Sequence, residues 1–190
     1  MNKKFFGPVA IIGAIVFIVI AYGACQYNSL VNTEEDVSGA WADVETQLQR
    51  RADLIPNLVE TVKGFAAQEK EIFTDVADAR SRLLGAKGPA EVGAANSGME
   101  SALGRLLAIS ERYPDLKSNQ NFMQLQDELA GTENRVAVSR KRYNDASRSY
   151  NKTIRRFPAR MFAGMFGFEA HAYFEAEEAA KQLPKVKFGE

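Results

Sequence analysis

The N-terminus of the chain carries an uncharged, mostly apolar run from Phe5 to Ala24, which follows Lys3 and Lys4. A helix rises ~1.5 Å per residue, so about 20 residues cross the ~30 Å hydrocarbon core of a bilayer. A soluble domain has no use for such a run at its extreme N-terminus. The run therefore predicts a single membrane span, with residues 1–26 as the membrane anchor.

Two other fates of this segment compete with an uncleaved anchor. A cleaved signal peptide needs a shorter apolar region and a small-residue cleavage site, which Ala21-Tyr22-Gly23 offers only weakly. A lipoprotein signal ends at an acylated cysteine, and Cys25 is the one cysteine of the chain. Tyr22, three positions before it, however, stands where a small aliphatic residue is expected. We expect the uncleaved anchor, with a lipoprotein acylated at Cys25 as the alternative.

The charges on the two sides of the span predict its orientation. Lys3, Lys4 and the α-amino group are positive, whereas the first charges after the span are Glu34, Glu35 and Asp36. Under the positive-inside rule, the N-terminus lies in the cytoplasm and the remaining ~165 residues lie outside it. The 24 Lys and Arg residues include Lys3 and Lys4, so the segment after the span carries 22 basic against 24 acidic residues. This near-balance argues against nucleic acid as a partner.

After the span, apolar residues recur at steps of three and four almost to the end of the chain. No segment alternates with period two for long enough to form a strand, so the pattern indicates an all-α fold. Several such stripes, joined by short breaks, predict an antiparallel four-helix up-and-down bundle over residues 27–158, followed by an aromatic-rich tail, 159–190. Trp41 lies on the first stripe, and we expect it to be largely buried.

The position of Pro56 leaves two arrangements open. The apolar stripe keeps its phase from Leu48 to Ile55, which suits three long helices with a kink at Pro56. Arg50-Arg51 followed by Asp53 is instead typical of a helix end and a new cap, and proline costs ~3 kcal/mol inside a helix. We expect a tight reversal at Pro56. The fourth helix would then return the tail towards the membrane.

Two stretches of the sequence closely resemble the signature stretches of the LemA family: QLQRRADLIPNLV at residues 47–59 and LQDELAGTENR at residues 125–135. The similarity extends from Tyr27 to Phe174. The resemblance implies a bacterial single-span membrane protein with a helical-bundle domain and no established enzymatic activity. Some relatives are associated with building specialised internal membranes, which implies a structural role.

The chain lacks the residue patterns of common catalytic sites. Its single histidine, His171, has no Glu-x-x-His or His-x-x-x-His partner of the kind that a helix-borne zinc or di-iron site needs. One cysteine allows no internal disulfide. The sequence contains no Gly-rich phosphate loop, nucleophile elbow or dinucleotide fingerprint. We therefore predict no enzymatic activity, no catalytic residues, no cofactor and no metal.

The two signature stretches are rich in polar side chains. A solvated helix face with interhelical ion pairs that set the register of the bundle explains such residues most simply. A partner-binding surface is the functional alternative, and a catalytic carboxylate pair comes third because no suitable third group accompanies it. The candidate partner-binding residues are Arg50, Arg51, Asp53, Asn57, Asp127, Glu128, Glu133, Asn134 and Arg135.

The C-terminal part of the chain is rich in aromatic residues. Tyr143-Asn144 and Tyr150-Asn151 repeat one heptad apart, and we expect both tyrosines in the core with their hydroxyls hydrogen-bonded at its edge. Six of the twelve phenylalanines lie from Phe157 onward. This tail either packs back over the bundle or contacts the membrane interface, with arginines facing lipid headgroups. The candidate contacts are Phe162, Met165, Phe166 and Phe168, with Arg155, Arg156 and Arg160 beside them.

Together these features predict an extracytoplasmic bundle anchored in the bacterial inner (plasma) membrane. Its expected role is that of a non-enzymatic envelope scaffold or adaptor, which binds other membrane proteins or itself. The alternative is a lipid-binding protein that acts on membrane shape through its aromatic tail. A hydrolase comes third: a pocket lined by clustered carboxylates would favour it, and a solid apolar core would argue against it.

Overall fold

The structure is a computed structural model that describes residues 3–175, and the described residues form helices and short connections without a strand. The predicted all-α fold is confirmed. The helices are α1 (Lys3–Ala66), α2 (Lys70–Gly85), α3 (Gly88–Ala108), α4 (Pro114–Lys117), α5 (Gln120–Arg155) and α6 (Ala159–Phe166), with a 3-10 turn at Ile109–Arg112 before α4.

The first helix, α1, contains the apolar segment at the N-terminus. By length and composition it is the one helix of the described chain that is long and apolar enough to cross a membrane. The side chains of residues 11–22 are exposed, as those of a segment surrounded by lipid would be. The helix continues to Ala66 without a break, so no linker separates the apolar segment from the rest of α1.

The chain forms two compact units. Within the described residues, unit 1 comprises residues 3–40 together with Asp145–His171, and unit 2 comprises Trp41–Asn144 together with residues 172–175. Both α1 and α5 contribute to each unit. The division into an anchor, a bundle and a tail at residues 26 and 158 stays a prediction.

Contacts within unit 2 give the directions of its helices. Along α1, Arg51 pairs with Glu133 and Trp41 contacts Tyr143, so α1 and α5 run in opposite directions. Arg51 on α1 also contacts Asn96 on α3. Further along the chain in both cases, Gln68 after α1 donates a hydrogen bond to the hydroxyl of Tyr113 after α3. Helix α3, with the 3-10 turn that follows it, therefore runs parallel to α1. This is the order of an up-and-down bundle.

The predicted reversal at Pro56 is wrong, because α1 passes through this residue and ends at Ala66. The chain reverses at residues 67–69, where the amide of Glu69 donates to the carbonyl of Ala66. The bundle nevertheless keeps four long helical segments within the described part of unit 2, since α2 starts directly after this turn. Pro56 is exposed, and the carbonyl of Ala52, which loses its helical donor, accepts a hydrogen bond from Arg80 instead.

The apolar stripes form the core. In unit 2 the buried side chains include Ile55, Leu58, Met99, Leu106 and Phe122. Trp41 was expected to be largely buried but is only half-buried. Its ring stacks on the ring of Phe174 with a centroid distance of 5.8 Å, so Trp41 packs against the C-terminal tail.

Candidate functional site

Arg51 is the centre of a polar network inside unit 2. Only 4% of its side chain reaches solvent. The terminal nitrogen Nη2 donates to Glu133 at 2.6 Å, and the terminal nitrogen Nη1 donates to the amide oxygen of Asn96 at 3.0 Å. Asn96 in turn donates to Glu100, which lies 3.7 Å from Arg51. Three helices, α1, α3 and α5, are thereby held in one register.

This network joins the two signature stretches, because Arg51 belongs to the first and Glu133 to the second. The interpretation of these two residues as an interhelical ion pair fits the geometry. The sequence reasoning missed Asn96 and Glu100. The signal for Asn96 was its place between Val92 and Met99, at the spacing of the buried face of α3: a polar residue at such a position needs a partner.

The other candidate partner-binding residues are exposed and do not form one cluster within the described chain. Asp53 accepts a hydrogen bond from Gln49 and lies 4.0 Å from Arg80. The exposed residues are Arg50, Asp53, Asn57, Asp127, Glu128, Asn134 and Arg135. Their role in partner binding stays a prediction.

Two of them, Asn134 and Arg135, line a shallow groove between α1 and α5 in unit 2. We call it the signature groove, because it also contains Gln47 at the start of the first signature stretch. Gln47 Oε1 is buried and has no hydrogen-bond partner within the described residues. The groove carries two arginines and no carboxylate. Its lining residues are Gln47, Asn134, Arg135, Val138, Ser139 and Arg142.

A second site in unit 2 holds the extended chain after residue 171. The backbone amide of Phe174 donates to Asn144 Oδ1 at 2.9 Å, and the Nδ2 group of Asn144 donates to the carbonyl of Phe174 at 3.0 Å. The ring of Phe174 contacts the rings of Trp41 and Tyr143, which also contact each other, and the Arg140 guanidinium lies 4.8 Å from its centroid. An aromatic pocket and a two-point backbone clamp therefore fix this residue.

Asn151 makes the same kind of clamp in unit 1. Its amide exchanges hydrogen bonds of 2.8 and 2.9 Å with the carbonyl and amide of His171. The Tyr-Asn repeat of the sequence thus provides two backbone clamps, a function that the sequence analysis did not assign to the asparagines. An asparagine carries one donor and one acceptor at the ends of one amide, which matches one residue of extended backbone.

The two tyrosines of the repeat differ in their hydroxyls. Tyr143 Oη donates to the carbonyl of Ala172 at 3.0 Å, as predicted. The hydroxyl of Tyr150 is buried without a hydrogen-bond partner in the described chain, contrary to the prediction. Burial raises the pKa of Tyr150 above its ordinary value, and the nearby carboxylates of Glu34 and Glu169 raise it further.

The tail of unit 1 packs on α1. Phe162 lies against Gly23, and Phe166 and Phe168 contact the ring of Tyr27. Of the four candidate membrane-contact residues, Phe162 and Phe168 are half-buried, whereas Met165 and Phe166 are exposed. Packing over the protein thus explains two of them, and membrane contact of this tail stays a prediction.

A comparison of the whole sequence with the sequence models of known families tests the resemblance of the two signature stretches. The sequence model of the LemA family matches residues 40–188. The chain belongs to the LemA family. The resemblance seen in the two stretches is therefore confirmed. In this LemA-family chain the Arg51–Glu133 ion pair connects one signature stretch to the other.

Curated relatives of this LemA-family chain fall into two groups. Magnetosome protein MamQ 1 of Paramagnetospirillum magneticum is 31% identical over 91% of this chain and 75% of its own length. Magnetosome protein MamQ of Magnetospirillum gryphiswaldense is 30% identical over the same shares. Protein LemA of Metamycoplasma hominis is 23% identical over 86% of this chain and 78% of its own length.

Proposed function

We propose that this LemA-family chain is a single-pass protein of the bacterial inner membrane, with a cytoplasmic N-terminus and an extracytoplasmic bundle. In this proposal the bundle is a non-enzymatic scaffold or adaptor that binds other envelope proteins. The apolar segment of α1 supports the anchor, because it can cross a bilayer by length and composition. Relatives named after a cell structure, the magnetosome, support a structural role.

The signature groove is the observation that carries the adaptor proposal. It contains residues of both signature stretches, Gln47 from the first and Asn134 and Arg135 from the second. The buried Arg51–Glu133 pair fixes the register of the helices on which these residues lie. We therefore expect a partner to bind at this groove, because it contains residues of both signature stretches.

The lining of the groove indicates the chemistry of this partner. Arg135 and Arg142 are exposed and lie one heptad apart on α5, with the 51%-exposed Val138 between them. The guanidinium groups favour carboxylates, and Val138 favours a small apolar contact. We therefore expect an acidic segment of another envelope protein in this groove.

Photo-crosslinking in living cells tests this function. A photoreactive amino acid replaces Val138 in the full-length protein, and the matched control places it at Met123, another exposed apolar position of α5. We expect a discrete adduct with an envelope protein from position 138 and none from position 123. Mass spectrometry of the adduct should identify an acidic segment at the crosslink.

Charge variants make the result specific. Arg135→Ala combined with Arg142→Ala should abolish the adduct, whereas Lys141→Ala, an exposed position of the same helix outside the groove, should leave it unchanged. An adduct that persists in the double variant, or no adduct at position 138, would contradict the adaptor function of this groove.

The second candidate function is lipid binding through the tail. The observation that favours it is the exposed apolar surface of Phe157, Met161 and Met165 at α6. On this proposal the tail supplements the anchor and acts on the shape of the membrane surface.

A further inference from the structure

The short helix α6 lies beside the end of the apolar span and runs in the same direction as α1. A Cβ atom at Gly23 would lie 3.1 Å from the ring of Phe162. Four residues later on both helices, the ring of Phe166 lies 5.0 Å from the ring of Tyr27. Equal steps on both helices show that they are parallel. Residues just before Phe162 consequently lie level with the last turns of the span, before Gly23.

One face of this segment is apolar and exposed. The exposed fractions are 82% for Phe157, 65% for Met161 and 74% for Met165. Met161 and Met165 are spaced by four on α6 and therefore share one helix face, and Phe157 lies in the turn just before the helix. We call these three exposed residues the apolar stripe. The opposite face is occupied, because Ala159 and Ala163 are buried. A monomeric protein rarely keeps such a stripe in water, and a membrane contact is one of its ordinary causes.

Three arginines lie next to the residues of this stripe in the sequence. Arg155, Arg156 and Arg160 are exposed, and no carboxylate of the described residues forms an ion pair with any of them. The acidic residues of unit 1 closest in sequence are Asp145, which pairs with Arg148, and Glu169, which comes after α6. Basic side chains next to an apolar surface are typical of segments that contact the headgroups of anionic membranes.

We propose that the N-terminal end of α6 enters the membrane beside the last turns of the span and that the stripe of Phe157, Met161 and Met165 faces the lipid. The three arginines contact anionic headgroups, since long basic side chains reach from an apolar surface to the polar zone. The proposal rests on the membrane anchor proposed above. It changes the contact residues expected from the sequence, because Phe162 and Phe168 pack against α1, whereas Phe157 and Met161 are exposed.

Quenching of tryptophan fluorescence by brominated acyl chains tests this proposal. The full-length protein with Trp41→Phe receives one new tryptophan, either Met161→Trp or Phe17→Trp. Each variant is reconstituted into vesicles of phosphatidylcholine and phosphatidylglycerol, with or without bromine on the acyl chains. The unchanged protein is the control, because its single tryptophan, Trp41, lies outside the apolar segment.

We expect strong quenching for both new tryptophans and none for Trp41. Quenching at position 17 without quenching at position 161 overturns the proposal for α6 and leaves the anchor intact. The absence of quenching at both positions overturns the anchor and the α6 proposal together. Circular dichroism of each variant confirms that helix content is unchanged.

The lipid headgroups are tested separately. With Met161→Trp as the probe, replacing phosphatidylglycerol by phosphatidylcholine should weaken the quenching. Replacing Arg155, Arg156 and Arg160 by Gln should remove this dependence on phosphatidylglycerol. Quenching that stays equal in both lipids would overturn the contact between the arginines and anionic headgroups.

Discussion

The Nε group of Arg80 on α2 donates a hydrogen bond of 2.8 Å to the carbonyl oxygen of Ala52 on α1. In an α-helix the donor for Ala52 would be the amide of residue 56, four positions later. That residue is Pro56, which has no amide hydrogen. Arg80 therefore supplies, from a neighbouring helix, the donor that the proline removes.

A double-mutant cycle measures this replacement. Arg80→Ala should lower the free energy of unfolding by about 1–3 kcal/mol, because a buried carbonyl loses a charged donor. Pro56→Ala should raise it by about 1–3 kcal/mol, because the helix regains its own amide. In the Pro56→Ala background, Arg80→Ala should cost about 1 kcal/mol less than in the natural protein. Urea unfolding of the detergent-solubilised protein provides these values.

The exposed Arg82 is a suitable control, because its Nε group bonds to Asp78 within its own helix. Arg82→Ala should change stability by less than about 0.5 kcal/mol in either background. Equal costs of Arg80→Ala with and without Pro56 would show that the bond to Ala52 does not compensate for the proline.

The same relationship explains why the sequence predicted the fold class but not the position of its first turn. The spacing of Leu48, Ile55 and Leu58 correctly indicated a helix that keeps its phase. The local rule for proline pointed to a reversal at Pro56 instead. A donor from a residue 28 positions away is tertiary information that no local pattern contains.

The candidate site was predictable to a similar degree. A resemblance to two signature stretches identified Arg51 and Glu133, and their pairing is a consequence of the bundle topology. Sequence spacing did not separate the buried Arg51 from the exposed Arg50. The aromatic tail was recognised as unusual, but its clamps at Asn144 and Asn151 depend on an extended chain whose path only the structure gives.

Arg51 should be essential for the stability of the bundle. Arg51→Ala leaves Glu133 and Asn96 without their shared donor and should cost about 2–4 kcal/mol. The cost is not expected to be larger, because Glu133 and Glu100 partly reach solvent. Arg50→Ala is the control and should cost less than about 0.5 kcal/mol. Equal effects of the two substitutions in urea unfolding would contradict the role of the network.

The two tyrosines of the repeat should respond in opposite ways to loss of the hydroxyl. Tyr143→Phe removes the hydrogen bond to Ala172 and should cost about 1 kcal/mol. Tyr150→Phe removes a buried hydroxyl without a partner in the described chain, so stability should stay equal or rise by about 1 kcal/mol. A loss of stability in Tyr150→Phe as large as that in Tyr143→Phe would contradict the difference.

Tyr150 should also contribute to alkaline sensitivity. Burial, together with Glu34 and Glu169, raises its pKa in the folded protein. Above the unfolded pKa of ~10, the unfolded chain releases this proton while the folded chain keeps it, so stability falls as pH rises. The fall should be shallower in Tyr150→Phe when unfolding is measured from pH 9 upward. Identical slopes for the two proteins would contradict this assignment.

Asn144 should hold the tail through the backbone of Phe174. Asn144→Ala removes both hydrogen bonds to that residue, so the amide of Phe174 should exchange with deuterium at least several-fold faster. The emission of Trp41 should shift to longer wavelength, because its stacking partner leaves. Asn134→Ala, at an exposed position of the same helix, should change neither readout. Unchanged exchange at Phe174 in Asn144→Ala would show that the aromatic pocket alone holds the tail.

The orientation in the membrane is testable with one engineered cysteine. Under the positive-inside rule, Lys3 and Lys4 predict a cytoplasmic N-terminus, while basic residues such as Arg155 lie too far along the chain to influence insertion. In a Cys25→Ser background, the exposed Ser118→Cys should react with a membrane-impermeant maleimide in whole cells. Asn2→Cys should react only after lysis, because the proposed orientation puts residue 2 on the cytoplasmic side. The reverse pattern would place the bundle inside the cell and exclude the extracytoplasmic scaffold.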